Sequence, residues 1–288
     1  MGSKLLVGGT GYEAKGGKAL VGGTGYAIKQ GKTLVSGTGR SISFGRPASE
    51  LSVGESVFLT VNGALTEFLV VHKGNPDTGI YDASCDGIWI TAKYAPDVAI
   101  VYTTKDTSGI SADKSYDGYY YKIMYHESTP HNYLNSTYYN TINAKQREHI
   151  KAVKVPYSTD VEYDTTYHTK ADGVAANVFL LCGQEMNPNP AIHSGIGVVL
   201  QYFSNFDMAF DSRRAITTTS GSKVDYWCRD SVRGYDDGRY KRVIGYVSAS
   251  GGEAGLTWQD KWETEKKYLR PTMILSYDTK VNTQNVVI

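Results

Sequence analysis

Cysteine and proline are scarce, with 3 Cys and 8 Pro in 288 residues. Cys85, Cys182 and Cys228 are odd in number, widely spaced and without a CxxC pair, which excludes both a disulfide framework and a cysteine zinc site and points to a chain kept reduced. His72, His126, His131, His149, His168 and His193 form no HExxH or comparable pair. His126 and His131, with Glu127 between them, are spaced too loosely for a metal. No GxSxG, P-loop or dinucleotide fingerprint occurs, and the isolated carboxylates are too many to nominate a glycosidase pair. The chain is therefore expected to carry no cofactor and no metal, and not to be an enzyme. A formal net charge of +1 without a Lys/Arg run argues against nucleic acid or an anionic membrane as partner. No stretch approaches the roughly 20 apolar residues that cross a bilayer. The segment Met1 to Val7 lacks an apolar h-region, so a soluble protein without membrane insertion or a cleaved signal is expected.

Glycine, by contrast, is abundant at the N-terminus. Leu6-Val7-Gly8-Gly9-Thr10-Gly11-Tyr12 returns as Leu20-Val21-Gly22-Gly23-Thr24-Gly25-Tyr26 and as Leu34-Val35-Ser36-Gly37-Thr38-Gly39-Arg40, a period of fourteen residues. Fixed-period self-similarity marks a one-dimensional architecture. Each unit reads as two short strands around a Gly-rich turn. One Leu/Val pair and one Tyr or Ile per unit cannot offset the roughly 1 to 2 kcal/mol of backbone entropy that each ordered residue costs. Partner chains must supply the remaining burial, and a homotrimer is the expected solution for an elongated fibre. A flexible Gly-rich linker is the alternative, but a linker has no reason to keep Leu-Val and Tyr/Ile positions in register. Residues 1–46 hold seven Lys/Arg against the single Glu13, a balance of +6, so the remainder carries −5.

From residue 47 to 288 the composition is that of a folded domain; hydrophobic residues make up 41% of the whole chain. Ser56–Val61 and Thr66–Val71 read as strands joined at Asn62-Gly63, a strong hairpin signal. Further strands are expected at 87–91, 98–102, 178–181, 241–247 and 271–275. A helix is expected from Tyr133 to Ala144, where Leu134, Tyr138, Tyr139 and Ile142 share a face.

Five motifs then occur in order: Tyr133-Leu134-Asn135 with Tyr138-Tyr139; Ile150 through Val155-Pro156-Tyr157; Val178-Phe179-Leu180-Leu181; Tyr226-Trp227-Cys228-Arg229; and Leu269-Arg270-Pro271-Thr272-Met273-Ile274-Leu275. Together they resemble a C-type-lectin-like module of phages and of surface proteins of Gram-positive gut bacteria, often preceded by Gly-Gly-Thr-Gly-Tyr repeats. The module tends to carry Ser where this chain has Cys182 and Cys228. The resemblance implies an α+β, C-type-lectin-like mixed fold with long loops, following a β-hairpin repeat stalk. It also implies a ligand surface drawn from Asp230 to Tyr240 and from Gly255 to Trp262.

Those segments hold the residues expected to bind: Tyr235, Asp236, Asp237, Arg239, Tyr240, Trp258, Gln259, Asp260 and Trp262. Flat rings cover the apolar faces of sugars while carboxylates, amides and guanidinium groups bond hydroxyls, and Tyr, Trp and Arg also lead protein hot spots. The competing reading packs Trp258 and Trp262 into the core and leaves the charged loop solvated. Trp227 and Arg229 read as scaffold. Tyr116, Tyr119, Tyr120, Tyr121 and Tyr125 read as alternation along a strand. The function that follows is a bacteriophage virion protein in a tail or head fibre, made in the host cytoplasm. It would stand on the virion surface, assemble with itself and other virion proteins through its repeats, and attach to a host glycan or protein. A decoration or collar protein with no host ligand is the alternative, and a glycan-degrading enzyme the third.

Overall fold

The computed structural model describes backbone and side chains at 45–103, 125–158, 167–186, 196–204, 212–230, 244–251 and 265–288, and backbone pairing in strands within 4–43, 159–166, 231–243 and 254–258. Near the N-terminus β1 (Lys4–Val7), β2 (Thr10–Glu13), β3 (Lys18–Val21), β4 (Thr24–Ala27), β5 (Gln30–Val35) and β6 (Thr38–Ser43) form three antiparallel hairpins. Their innermost pairs are equivalent in the repeat: Val7 with Thr10, Val21 with Thr24, Val35 with Thr38. Each hairpin is a separate two-stranded sheet.

The body opens with β7 (Arg46–Pro47), followed by β8 (Ser56–Val61) and β9 (Ala64–Lys73). Asn62 (φ 50) and Gly63 (φ 78) join β8 to β9 with two left-handed residues, the turn whose twist suits a paired hairpin. Every second residue of β8 is buried, Val57, Leu59 and Val61, so one face rests on the core. Next come β10 (Ile88–Ala92), buried at every position, and the short β11 (Tyr94–Ala95). A helical stretch then runs through α1 (Thr129–Asn132), a π-helical segment (Tyr133–Tyr138) and α2 (Tyr139–Thr141). Ser128 caps its start by accepting from the His131 amide at 3.2 Å. Leu134, Tyr138 and Ile142 are buried, as their spacing implies. The stretch ends where Ile142 turns extended, and Asn143 caps the short α3 (Ala144–Arg147) by accepting from Lys145 N–H at 3.0 Å.

Beyond it lie β12 (Val153–Val155), β13 (Tyr157–Val161), β14 (Asp164–His168), β15 (Val174–Ala176) and α4 (Gly183–Met186). The remaining strands are β16 (Ile216–Thr218), β17 (Lys223–Val224), β18 (Tyr226–Asp236), β19 (Arg239–Val247), β20 (Ala254–Trp258), β21 (Thr272–Leu275) and β22 (Lys280–Val281). The largest sheet has the order β21-β10-β9-β8. Trp89 on β10 is its packing centre, edge-on to Phe179 at 5.3 Å and to Tyr81 at 5.6 Å. The end of the chain is sewn to the start of the body: β22 pairs with β7, and Gln146 donates to the Val287 carbonyl at 2.7 Å. No described helix is long and apolar enough to cross a membrane.

This architecture corrects the expected α+β, C-type-lectin-like fold. The chain is mainly β, with 36% strand in small sheets against 21% helix. The helical periodicity at Leu134, Tyr138 and Ile142 supports one interrupted stretch that packs on the sheets and builds no layer of its own. Two expected strands are not strands either. Residues 98–102 make a single bridge, Ile100 to Lys267, and 178–181 make one, Phe179 to Thr272. Around that bridge, side chains satisfy much of the remaining backbone of the second segment. Asn135 donates to the Val178 carbonyl at 2.9 Å and accepts from the amides of Asn177 (2.8 Å) and Val178 (3.2 Å). Tyr125 Oη accepts from the Leu180 amide at 2.9 Å, and Arg229 donates to the Leu180 carbonyl at 2.9 Å.

Two buried histidines give the body a pH response. The Gln201 amide donates to His72 Nδ1 at 3.3 Å, and the His131 ring stands edge-on to Tyr125 at 5.1 Å. Burial pushes both down to about 4, for His72 against the opposing pull of Glu185. The unfolded chain takes up these protons near 6.5 and the folded one only near 4, so it is the unfolded state that binds more protons between those values. Stability is thus full above about 6.5 and is lost as the pH falls toward 4. Thermal midpoints at pH 7 and pH 5 are expected to differ by several degrees, with the lower value at pH 5. Replacing His72 and His131 by Gln should flatten that difference.

Candidate functional site

The sheet β18-β19-β20 carries the expected binding segments, and its base is built on an irregularity. Trp227 pairs with Tyr246, but the next pair is Ser231 with Ile244, so Cys228, Arg229 and Asp230 stand opposite Gly245 alone. Extra residues in one strand re-aim its side chains. Here they turn inward: Cys228, Arg229 and Asp230 are all buried.

Arg229 meets Glu185 from α4 in a two-pronged pair, Nη1 to Oε2 and Nη2 to Oε1, each 2.6 Å, with both side chains fully buried. Its other donors hold backbone, reaching the carbonyls of Pro156 (2.8 Å), Leu180 (2.9 Å) and Ile196 (3.3 Å). Glu185 accepts in addition from Tyr81 Oη at 2.7 Å and from the Cys182 amide at 2.9 Å. Asp230 accepts from the Gly183 amide at 2.8 Å. A buried charge pair is tolerated only when its remaining donors and acceptors are met in this way. Burial opposes the charge on Arg229, yet Glu185 more than offsets it and holds the guanidinium well above its ordinary value. Burial and then Glu185 push the Tyr81 phenol up. A side chain at Gly197 has no room, because a Cβ there would stand 2.5 Å from Cys182 Sγ and 3.2 Å from Tyr81 Oη.

All three cysteines are free and buried. Burial pushes the thiols of Cys182 and Cys228 well above their ordinary value, and Glu185 and Asp230 act in the same direction. Cys85 is pushed up to about 12 by burial. None supplies a thiolate at neutral pH, so these thiols act as small packed groups. Trp227 is likewise in the core, donating from Nε1 to the Ile100 carbonyl at 2.8 Å. Lys267 lies 4.0 Å from the Tyr246 ring centre and 5.3 Å from that of Trp227, a cation bridging the two rings at the foot of the sheet. The described residues contain no group of three or more His, Cys, Asp or Glu placed to hold a metal ion.

Beyond the bulge, the expected loop from Asp230 to Tyr240 is two paired strands. Asp230 belongs to the buried base. Tyr235 is the register partner of Tyr240, and Asp236 of Arg239. Trp258 ends β20 opposite Val243. Two positions along the same ladder Arg233 pairs with Arg242, and Val243 is paired with both Val232 and Trp258. Asp237, Gln259, Asp260 and Trp262 lie outside the described residues, as do Tyr116, Tyr119, Tyr120 and Tyr121. Tyr125 is buried.

Sequence reasoning missed Glu185, Tyr81 and the carbonyls that Arg229 gathers. The partners lie 44 residues away or more along the chain in the case of both acidic and phenolic groups, and no local pattern links them. The one available signal was an Arg beside Trp227 and Cys228 in an apolar setting.

No curated protein and no solved structure matches the chain. One family model, the Domain of unknown function (DUF6273), matches residues 99–277. That span takes in the helical stretch, the Arg229–Glu185 pair and the β18-β19-β20 sheet, and leaves the N-terminal hairpins outside. With more than half of its length under that model, the chain belongs to the family of the Domain of unknown function (DUF6273).

Proposed function

We propose that this chain is an oligomeric attachment protein of a bacteriophage virion, a tail or head fibre component whose N-terminal hairpins assemble with copies of themselves and whose body engages the host surface. The observation that carries the reading is the trio of hairpins in equivalent register, each a two-stranded sheet on its own. An isolated two-stranded hairpin is marginal in water, and three or more strands with a common apolar face are needed for stability. Association of identical copies supplies those strands, and repetition of one unit gives an extended stalk. The arm proposed to meet the host is the β18-β19 hairpin, whose register pairs Tyr235 with Tyr240, tyrosine being a residue type that gives contact area at low rotamer cost.

The test is binding of labelled full-length protein to candidate host cells, beside Tyr235→Ala/Tyr240→Ala and Trp258→Ala variants. A loss of tenfold or more in the tyrosine pair variant supports attachment through this hairpin. Adhesion unchanged in both variants removes the hairpin as the site. No adhesion by the parent chain to any cell that its particle infects leaves the decoration or collar reading in its place.

A further inference from the structure

The largest sheet does not stop at β8. Phe58, on its outer edge, makes a parallel bridge to Val286; its amide donates to the Asn285 carbonyl (2.9 Å) and its carbonyl accepts from the Val287 amide (3.1 Å). Val287 in turn bridges Val281 of β22, and β22 pairs with β7. The ladder thus runs from β21 to β7, and residues 280–288 supply the two members that join β8 to β7. β7 is the strand by which the chain enters the body from the N-terminal hairpins. A segment laid along a sheet edge in this way takes up backbone groups that would otherwise be open to another strand.

A tight turn and a side-chain pin hold the segment. Asn282 Oδ1 accepts from the amides of Gln284 (2.8 Å) and Val286 (3.0 Å). Asn285, at φ 58, donates from Nδ2 to Glu55 Oε1 (3.1 Å) and to the Ser56 carbonyl (3.0 Å), and its Oδ1 accepts from Arg46 at 3.0 Å. One side chain therefore ties the turn to β7 through Arg46 and to the start of β8 through Ser56. Arg46 and Glu55 also form an ion pair. A Cβ on Gly45 would collide with the Val281 carbonyl, so the entering backbone lies directly on the segment. Against this polar lacing the segment buries little: Val281 and Val287 are buried, while Lys280, Thr283, Gln284 and Ile288 are exposed.

We infer that residues 280–288 are a strap, a conformational device that closes β7 onto the main sheet and opens together with it while the core stays folded. Segments with few buried apolar side chains and solvent-facing hydrogen bonds open locally, at a free energy below that of the whole domain. β7 is paired with the strap and pinned to it through Arg46, so the two open as one unit. Closed, the strap fixes the point at which the hairpins leave the body. Open, it leaves β7 as a tether. The inference needs nothing of the attachment reading and is tested without cells.

The experiment is hydrogen exchange followed by mass spectrometry on the full-length protein at neutral pH. Segments 45–50 and 279–288 are expected to exchange at one common opening rate, about tenfold or more faster than 88–92 and 272–275 in the main sheet. Asn285→Gly keeps the left-handed backbone and removes the pin. It should speed both outer segments by about tenfold or more and leave the main sheet unchanged. Gln284→Ala, at an exposed neighbour, should change none of them. Pro47→Cys/Lys280→Cys places thiols at register partners within disulfide reach. Oxidised, it should slow both outer segments, and reduction should restore them. The inference is overturned if 279–288 opens while 45–50 stays protected, if both exchange only together with 88–92, or if Asn285→Gly and the oxidised pair alter neither.

Discussion

Glu185→Gln is expected to destabilise the body by about 3 to 5 kcal/mol, the cost of leaving one member of a buried ion pair uncompensated, which for a domain of this size lowers the melting temperature by about 10 °C. The Arg229 guanidinium has no access to water, and its two prongs to Glu185 are 2.6 Å each. With an amide at position 185 the buried cation keeps only dipoles for company. Arg229→Met should cost a similar amount by a second route, because the carbonyls of Pro156, Leu180 and Ile196 lose their donor along with Glu185. The double variant Glu185→Leu/Arg229→Met removes both charges. It should recover a part of the loss, though not all, since those carbonyls stay unmet. A double-mutant cycle followed by chemical denaturation checks this: a coupling of several kcal/mol between the two sites is expected for groups in direct contact, and additive single losses would show that the pair does not act as a unit.

A chain beginning at Gly45 should fold with the parent's melting temperature, run as a monomer in light scattering, and bind cells about 100-fold to 10,000-fold more weakly than the full-length protein. The buried core lies within Ala48 to Val287, and β7 at Arg46–Pro47, which pairs with β22, is retained. Among the described residues the body therefore keeps its whole core. What it loses is linkage: separate weak sites on one stalk bind in sequence at high effective concentration once the first engages. A full-length chain that is itself monomeric, or a shortened chain that binds cells equally well, would remove the oligomeric stalk from the proposal.

Much of the local structure was legible in the residues. Asn62-Gly63 between two apolar runs marks the β8-β9 turn because few other residues take left-handed values at two successive positions. Leu134, Tyr138, Tyr139 and Ile142 read as one face of a helix reaching Ala144; Tyr139 is only half-buried, and the helix stops at Thr141, so that Ile142 is buried from extended backbone. The apolar run at 178–181 misled, since burial was legible but the identity of its hydrogen-bond partners was not. Asn135, Tyr125 and Arg229 come from three other places in the chain to satisfy that backbone. The candidate site shows the same division. Tyr235, Asp236, Arg239 and Tyr240 read as a binding composition, whereas their cross-strand pairing, Tyr235 with Tyr240 and Asp236 with Arg239, depends on the register of β18 against β19.

By itself, then, the sequence determined the fourteen-residue repeat, the turn at Asn62-Gly63, the alternation of β8 and the absence of any metal or nucleotide motif, all of which depend on neighbours a few positions apart. Only the tertiary structure decided that the chain is mainly β, that Cys228, Arg229 and Asp230 bulge into the core, and that Glu185 waits there for the guanidinium. The physical reason is the range of the interactions: backbone conformation and side-chain period are set within a turn or a strand, whereas the choice of partner for a buried charge is settled by which distant segments the whole core brings within hydrogen-bond reach.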